Sequence, residues 1–255
     1  MCCALLAAAS VAHAAAPATV LLEELTSPEL AAQIRAGRTT ILVPVGGTEQ
    51  NGPHMALGKH NVRVRLLAEK IAAKLGNALV APVIAYVPEG ALNPPTGHMR
   101  YAGTITLPAP AYRILLEYAA RSFRAHGFRD LVFLGDSGDY QGDTQAVAAA
   151  LNKEWGASPV RVHAIREYYA VPTAWFAQWL ASRGYPAEEI GTHAGLADTS
   201  LTLALAPGLV RADLPKAADG VRGNPSRATA ALGQAAVDAI VDQTADAIRK
   251  AVAQR

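Results

Sequence analysis

Residues 40–45 (TILVPV) form an uninterrupted apolar run that stops at Gly46-Gly47. A strand with one solvated face alternates polar and apolar residues, so a continuous run points to a strand covered on both sides. That constraint favours a parallel sheet between two helical layers, and the rest of the chain repeats the pattern. Val64, Leu67, Ile71 and Leu75 recur at helical spacing and stop at Gly76, a natural helix end. Residues 79–87 (LVAPVIAYV), Leu131–Leu134 and Pro159–Ile165 are further strand candidates. Helical spacing returns in Leu116, Ala119, Ala120 and Phe123, closed by Gly127, and in Ala146, Val147, Ala150 and Leu151, before Gly156. Phe176, Trp179 and Leu180 mark a short helix. Ser226–Val252 reads as one long helix with Leu232, Ala236, Ile240, Thr244 and Ile248 on one face. Residues 88–109 are rich in Pro and Gly and read as a long loop. Strands alternating with helices predict the α/β class, a three-layer α/β/α fold with a mostly parallel central sheet.

The chain of 255 residues is 51% hydrophobic, enough for one sizeable core. No repeat or linker interrupts it, so residues 15–255 read as one domain. A net charge of +2, with no run of Lys or Arg, excludes nucleic acid as a natural partner. Residues 1–14 read as a signal peptide, because the segment is short, apolar and small-residue rich and ends in Ala12-His13-Ala14. No Lys or Arg precedes the apolar stretch. The expected mature chain begins near Ala15, is periplasmic or secreted, and has no membrane span. Both cysteines, Cys2 and Cys3, fall in the leader, so the mature chain would hold no thiol.

Ligands of open parallel sheets gather beyond the carboxyl ends of the strands. Two strands end in polar, Gly-rich turns there. The first turn holds Glu49, Asn51, His54 and His60; the second runs Gly135-Asp136-Ser137-Gly138-Asp139. A third cluster is Thr192-His193-Ala194-Gly195, followed by Asp198. Carboxylates and imidazoles on neighbouring strand ends suit a divalent metal with a place left for water. Strand-end acids also cap helices, which accounts for Asp136 or Asp198 without any metal.

The wording of these loops adds more. VPVGGTEQNGPHMALG (residues 43–58) resembles the creatininase (creatinine amidohydrolase) family, and so do Tyr101–Leu107, His126–Arg129, Asp136–Asp139, His193–Gly195 and Asp198–Ser200. The resemblance runs over roughly residues 25–250 and implies a metal-dependent amidohydrolase acting on a small amide, cyclic or acyclic, through metal-activated water. It implies metal ligands at Glu49, His60 and Asp136. His60 stands at the family's Asp position and Asp136 at its His position, so the set Glu, Asp, His is kept with two types exchanged. Asn51 replaces a second-metal His, and Gly138 stands where some members place a Glu. Imidazole offers one lone pair and cannot bridge two ions as a carboxylate does. One divalent metal per chain is therefore expected, zinc by default, with manganese as the alternative. His193 matches the family's proton-transferring histidine, with Asp198 to orient it or reach the metal. Asn51, Ser137, Gly138 and Tyr140 are the expected substrate contacts for a small-molecule substrate. A homo-oligomer, commonly a hexamer, is also implied.

Other readings stay open at the level of sequence. A binding or scaffold protein that has lost catalysis fits the changes at Asn51 and Gly138, and a mononuclear lactonase or esterase fits the same site. His54 can simply tie its loop, His98 can be a surface residue or a substrate contact, and His126 suits a helix C-terminus. His163, Trp175 and Trp179 read as core.

Overall fold

Alternate residues of the first strand enter two different cores, which is why that strand has no polar face. The computed structural model describes residues 19–211, 213–214 and 218–254; the expected signal peptide lies outside them. Four strands form one sheet among the described residues: β1 (Thr40–Val45), β2 (Ala78–Val80), β3 (Asp130–Gly135) and β4 (Arg161–Ala164). Their order is β2-β1-β3-β4 and every pairing is parallel. Leu42, Val132 and Leu134 point into one core, while Ile41, Val43, Val45, Leu131 and Phe133 point into the other.

The helices are α1 (Ser27–Arg35), α2 (Lys59–Leu75), α3 (Ala109–Ala125), α4 (Gln141–Trp155), α5 (Glu167–Ala170), α6 (Phe176–Ala181), α7 (Ala187–Ile190), α8 (Leu196–Leu205) and α9 (Ala230–Ala253). A π-helical turn, Val171–Trp175, joins α5 to α6. Val64, Leu67 and Ile71 of α2 meet Leu201 of α8 and Ile240 of α9 in the first core. Tyr112 and Leu116 of α3 meet Val147 and Leu151 of α4 in the second. These are the two outer layers of a three-layer α/β/α fold, as the sequence predicts.

Boundaries differ where local chemistry intervenes. The expected strand over 79–87 ends at Val80, with a single further bridge from Ile84 to Val45. Pro82 has no N–H to give the ladder. The last helix starts at Ala230 rather than Ser226, because the Thr229 hydroxyl accepts from the Leu232 amide at its N-terminus. The segment Leu196–Leu205 forms α8, and α8 packs its length along α9. Gly233 lets them meet: a β-carbon built there would lie 1.9 Å from the Ser200 carbonyl oxygen.

Strands β1 and β3 are the point where the strand order reverses. β1 connects to β2 on one side, and the chain then crosses to β3 on the other. The crevice beyond their carboxyl ends is where parallel sheets bind ligands. Glu49 and Asp136 follow those two ends directly.

Candidate active site

The loop after β1 is fixed from below by α2. A β-carbon at Gly46 would lie 2.1 Å from the Asn61 side-chain oxygen, so only glycine permits this approach. The Gly47 amide donates to that same oxygen at 2.9 Å, and the Asn61 amide donates to the Thr48 hydroxyl at 3.1 Å. Glu49 is thereby held over the first turn of α2, 2% exposed.

That first turn is unusual for a surface helix. Lys59, His60 and Arg63 are all buried, and helical spacing sets them on one side of the helix. His60 bridges two carboxylates: Nε2 lies 2.8 Å from Glu49 Oε1, and Nδ1 lies 2.6 Å from Asp136 Oδ2. Arg63 donates to Asp136 Oδ2 through Nη2 at 2.7 Å and Nε at 3.1 Å. Its Nη1 also reaches Asp198 Oδ1, while Lys59 holds Asp198 Oδ2. Tyr168 donates to Asp136 Oδ1 at 2.9 Å, and the Ala194 amide donates to Asp198 Oδ2 at 2.8 Å. Burial pushes Asp136 up, but Arg63 and His60 outweigh it and hold the carboxyl below its usual range. Asp198 is likewise held well below that range, where Lys59 and Arg63 overcome burial. Burial and Lys59 disfavour a charged His60, yet Glu49 and Asp136 prevail and raise it. Three carboxylates thus face three cationic side chains, and the cluster is nearly neutral as it stands.

A cavity of about 340 Å³ opens beside this cluster, lined by Glu49, Lys59, His98, Asp136, His193 and Arg222 among others. His98 and His193 meet at its wall with ring centroids 4.6 Å apart and planes tilted by 43°. His98 Nε2 lies 3.4 Å from Glu49 Oε2, and His193 Nδ1 lies 3.7 Å from Glu49 Oε1. His193 Nε2 is 2.9 Å from the Gln50 carbonyl oxygen. A carbonyl only accepts, so Nε2 carries the hydrogen and the Nδ1 lone pair faces Glu49. Burial first, then Lys59, pushes His193 down to about 4, so the ring is neutral at ordinary pH. Behind Glu49 lies Glu89, fully buried, raised to about 10 by burial and by the neighbouring Glu49 carboxylate.

The expected ligands Glu49, His60 and Asp136 are brought together, but not as a set of free donors. Both His60 nitrogens are engaged by carboxylates, and both Asp136 oxygens are held, one by Arg63 and one by Tyr168. The donor atoms that lie within 4.8 Å of one another, among the described residues, are those of Glu49, His98 and His193, and those of Glu89, His98 and Asp139. Asp198 does not orient His193, since its oxygens are taken by Lys59, Arg63 and the Ala194 amide; the Gln50 carbonyl orients that ring instead.

Two expected substrate contacts sit elsewhere. Asn51 is fully buried, and its amide donates to the Glu49 and Ala56 carbonyls at 2.9 and 3.2 Å. Tyr140 is fully buried too. Its hydroxyl accepts from the Asp136 and Ser137 amides, both at 3.0 Å, and faces the Val45 and Gly46 carbonyls at 2.8 and 2.6 Å. It fastens the ends of β1 and β3 together. Tyr140→Phe should cost about 1–3 kcal/mol, because the buried Ser137 amide loses its acceptor while the Asp136 amide keeps only the Val45 carbonyl; urea unfolding measures it. Ser137 and Gly138 do line the cavity, and a β-carbon at Gly138 would crowd the Tyr169 hydroxyl at 2.7 Å. His54, buried, is 3.1 Å from the Thr199 hydroxyl and ties its loop to α8.

Sequence reasoning missed Lys59, Arg63, Gln50 and Arg222, and it left His98 between a surface residue and a substrate contact. One signal for the first pair was present. Lys59 and Arg63 lie four residues apart, with Arg63 directly before the apolar stripe that starts at Val64.

Comparison with known proteins agrees with this architecture. Residues 23–248 match the profile of the family described as creatininase, creatinine amidohydrolase. A mycofactocin precursor peptide peptidase of Mycobacterium tuberculosis is 28% identical over 249 residues, covering 86% of each chain. A creatinine amidohydrolase of Pseudomonas putida is 28% identical over 200 residues, covering 76% of this chain and 75% of the other. Among solved structures, a tryptophan-to-alanine variant of creatininase superposes with a TM-score of 0.79 at 24% identity, over 92% of this chain and 99% of that one, a likeness of fold. A manganese creatininase gives 0.74 at 26% identity, over 91% and 98%. A creatininase variant of the zinc–zinc type gives 0.73 at 26% identity, over 92% and 98%.

Proposed function

The chain belongs to the creatininase family, and from that footing we propose that it is a metal-dependent hydrolase of an amide C–N bond in a small molecule. The observation that carries the reading is Glu49: a buried carboxylate at the carboxyl end of β1, opening on a cavity with imidazoles on two sides. Burial raises its carboxyl, but His60 and Lys59 more than offset that and keep it ionised. A divalent ion, zinc or manganese, would be held through Glu49 with imidazole donors beside it. When bound, it supplies a Lewis acid for the amide carbonyl and an ionised water near neutral pH.

The chain's own groups do the rest. Asp198 holds the Lys59 ammonium at the cavity wall, and His193 presents a neutral imidazole there. Both can exchange a proton with a bound amide. Arg222 lines the cavity and suits a substrate carrying a carboxylate or other anionic group. A cavity of about 340 Å³ is near the small end for ligand sites and favours a compact molecule over an extended peptide. The reading also includes export of the mature chain to the periplasm or beyond, and assembly into a homo-oligomer. Among the described residues no helix is long and apolar enough to cross a membrane.

A panel of cyclic and acyclic amides, short peptides and lactones tests it. Turnover of at least one amide is expected, suppressed by chelation and restored by zinc or manganese. Glu49→Ala should lower that rate by roughly 10³-fold, the several kcal/mol that an ion and its ligand contribute. A Glu49→Ala protein that turns over at the wild-type rate would end the assignment. The neutralisation of Asp136 and Asp198 by Lys59 and Arg63 favours one second reading, a binding protein without catalysis; tight binding of a panel compound with no turnover would identify it. Turnover confined to lactones would point to the esterase variant.

A further inference from the structure

We infer that the cation site of this chain is the Glu49–His98–His193 group, and that Lys59 and Arg63 close the Glu49–His60–Asp136 group to metal ions. The inference rests on the proposed metal dependence but concerns only where an ion binds.

The closed group is full. His60 has no free nitrogen, because each ring nitrogen is within 2.8 Å of a carboxylate oxygen. Arg63, buried and always charged, places two N–H groups on Asp136 Oδ2 and a third on Asp198. Lys59 adds a second fixed positive charge on Asp198. An ion entering there would have to displace a buried guanidinium and would sit beside an ammonium. Neither step is offset, since the carboxylates already have their counter-charges.

The open group differs on each count. Glu49 Oε2 faces His98 Nε2 at 3.4 Å, and Glu49 Oε1 faces His193 Nδ1 at 3.7 Å. Those separations are close to the edge of a coordination polyhedron whose ion–ligand distances are about 2.0–2.2 Å. All three residues line the cavity, so an ion has an entry path and room for water. The outer nitrogen of His193 is fixed by the Gln50 carbonyl, the arrangement by which second-shell acceptors aim a ligating imidazole. Ligation through His98 Nε2 puts that ring's hydrogen on Nδ1, which faces the Gln50 side-chain nitrogen at 3.0 Å. A half-turn of the Gln50 amide presents its oxygen instead, and it exchanges the bonds that side chain now makes to the Gly220 carbonyl and the Gly52 amide, at 3.2 and 2.9 Å, for the new one. The alternative group of Glu89, His98 and Asp139 depends on Glu89, which is fully buried and does not line the cavity. With His193 as a ligand, Lys59 remains the cavity group that can deliver a proton.

Cobalt(II) is the probe, added to metal-depleted full-length protein without substrate and followed by its visible absorption, with zinc stoichiometry measured by elemental analysis. One equivalent is expected. His98→Ala, in a half-buried loop position, should keep the wild-type circular dichroism and weaken cobalt binding by at least about 100-fold, more than the loss of a second-shell partner brings. Glu89→Gln should leave the affinity unchanged. Wild-type affinity in His98→Ala overturns the proposal, as does equal weakening in Glu89→Gln or an absence of cobalt binding in the wild type. Should the wild type bind cobalt as described and hydrolyse nothing, the hydrolase reading fails and the site stands. Should it hydrolyse amides undiminished with no ion bound, the site fails and hydrolysis stands.

Discussion

Replacing Arg63 with Met should lower the stability of this protein by about 3–5 kcal/mol, the cost of leaving buried charges without a partner. Arg63 is 4% exposed and, among the described residues, is the one side chain that touches both Asp136 and Asp198. Methionine fills much of the aliphatic volume and supplies none of the N–H donors, so the loss is chiefly electrostatic. Asp136 would keep His60 and Tyr168, and Asp198 would keep Lys59 and the Ala194 amide. Those contacts spare the fold but do not restore the lost charge. For a chain of this length such a loss lowers Tm by roughly 10 °C.

The pH dependence carries a sign. Asp136 and Asp198 both lie below the ordinary carboxylate range when folded. Their contribution is therefore present above the unfolded value of about 4 and is lost as pH falls through the folded value. The deficit of Arg63→Met should be widest at neutral pH and should narrow on acidification. Denaturant melts at several pH values check both claims. A deficit under about 1 kcal/mol at neutral pH, or one that widens in acid, would mean that Arg63 does not hold this cluster.

The second large effect is expected at Gly233, in the long helix α9. Alanine is the better helix former by about 1 kcal/mol, so at an open site Gly233→Ala would stabilise the protein. Here the added β-carbon would lie 1.9 Å from the Ser200 oxygen and 2.4 Å from the Ser200 carbonyl carbon. Both are backbone atoms of α8 and cannot rotate away, so the two helices must part. Overpacking of this kind costs about 1–3 kcal/mol and sometimes more. The contact is with backbone, so a net loss of about 2–3 kcal/mol is expected after the propensity gain. Thermal unfolding decides by sign: a Gly233→Ala protein as stable as the wild type would show that α8 and α9 do not approach this closely. Because α8 carries Asp198, the variant also tests whether the helix pair positions that carboxylate.

The elements that were legible share one physical trait, which is that their surroundings are uniform along their length. β1 and β3 are buried on both faces from end to end, so their sequences are apolar throughout and read as strands. α2, α3 and α4 each have one buried stripe and end near a glycine, and were found by period. The 79–87 reading overshoots β2 because the run stays apolar after the ladder ends at Val80; apolarity records burial, and beyond Val80 the covered residues bridge to β1 only at Ile84 among the described residues. The loop after β1 was legible because its residue types are narrowly constrained. Gly46 has no room for a β-carbon against Asn61, and the side chain at position 49 must be the carboxylate that faces the cavity.

The sequence by itself therefore determined the layered α/β architecture, the family, and the placing of the functional loops at the carboxyl ends of β1 and β3. Each of these follows from residues near one another in the chain: periodicity, turn glycines, and the wording of the Gly46–His60 segment. Tertiary structure alone decided which polar residues are free and which are spent. Lys59 and Arg63 at the start of an amphipathic helix have the composition of a solvated face. They are buried because Asp136, 73 residues beyond Arg63, and Asp198, 135 residues beyond it, arrive on the same side. His60 looks like a ligand in sequence and is consumed between two carboxylates. His98 looks like a surface residue and is turned toward Glu49 by its loop. A hydrogen bond or an ion pair removes a donor atom from further use, and which partners arrive depends on long-range packing that no local pattern encodes.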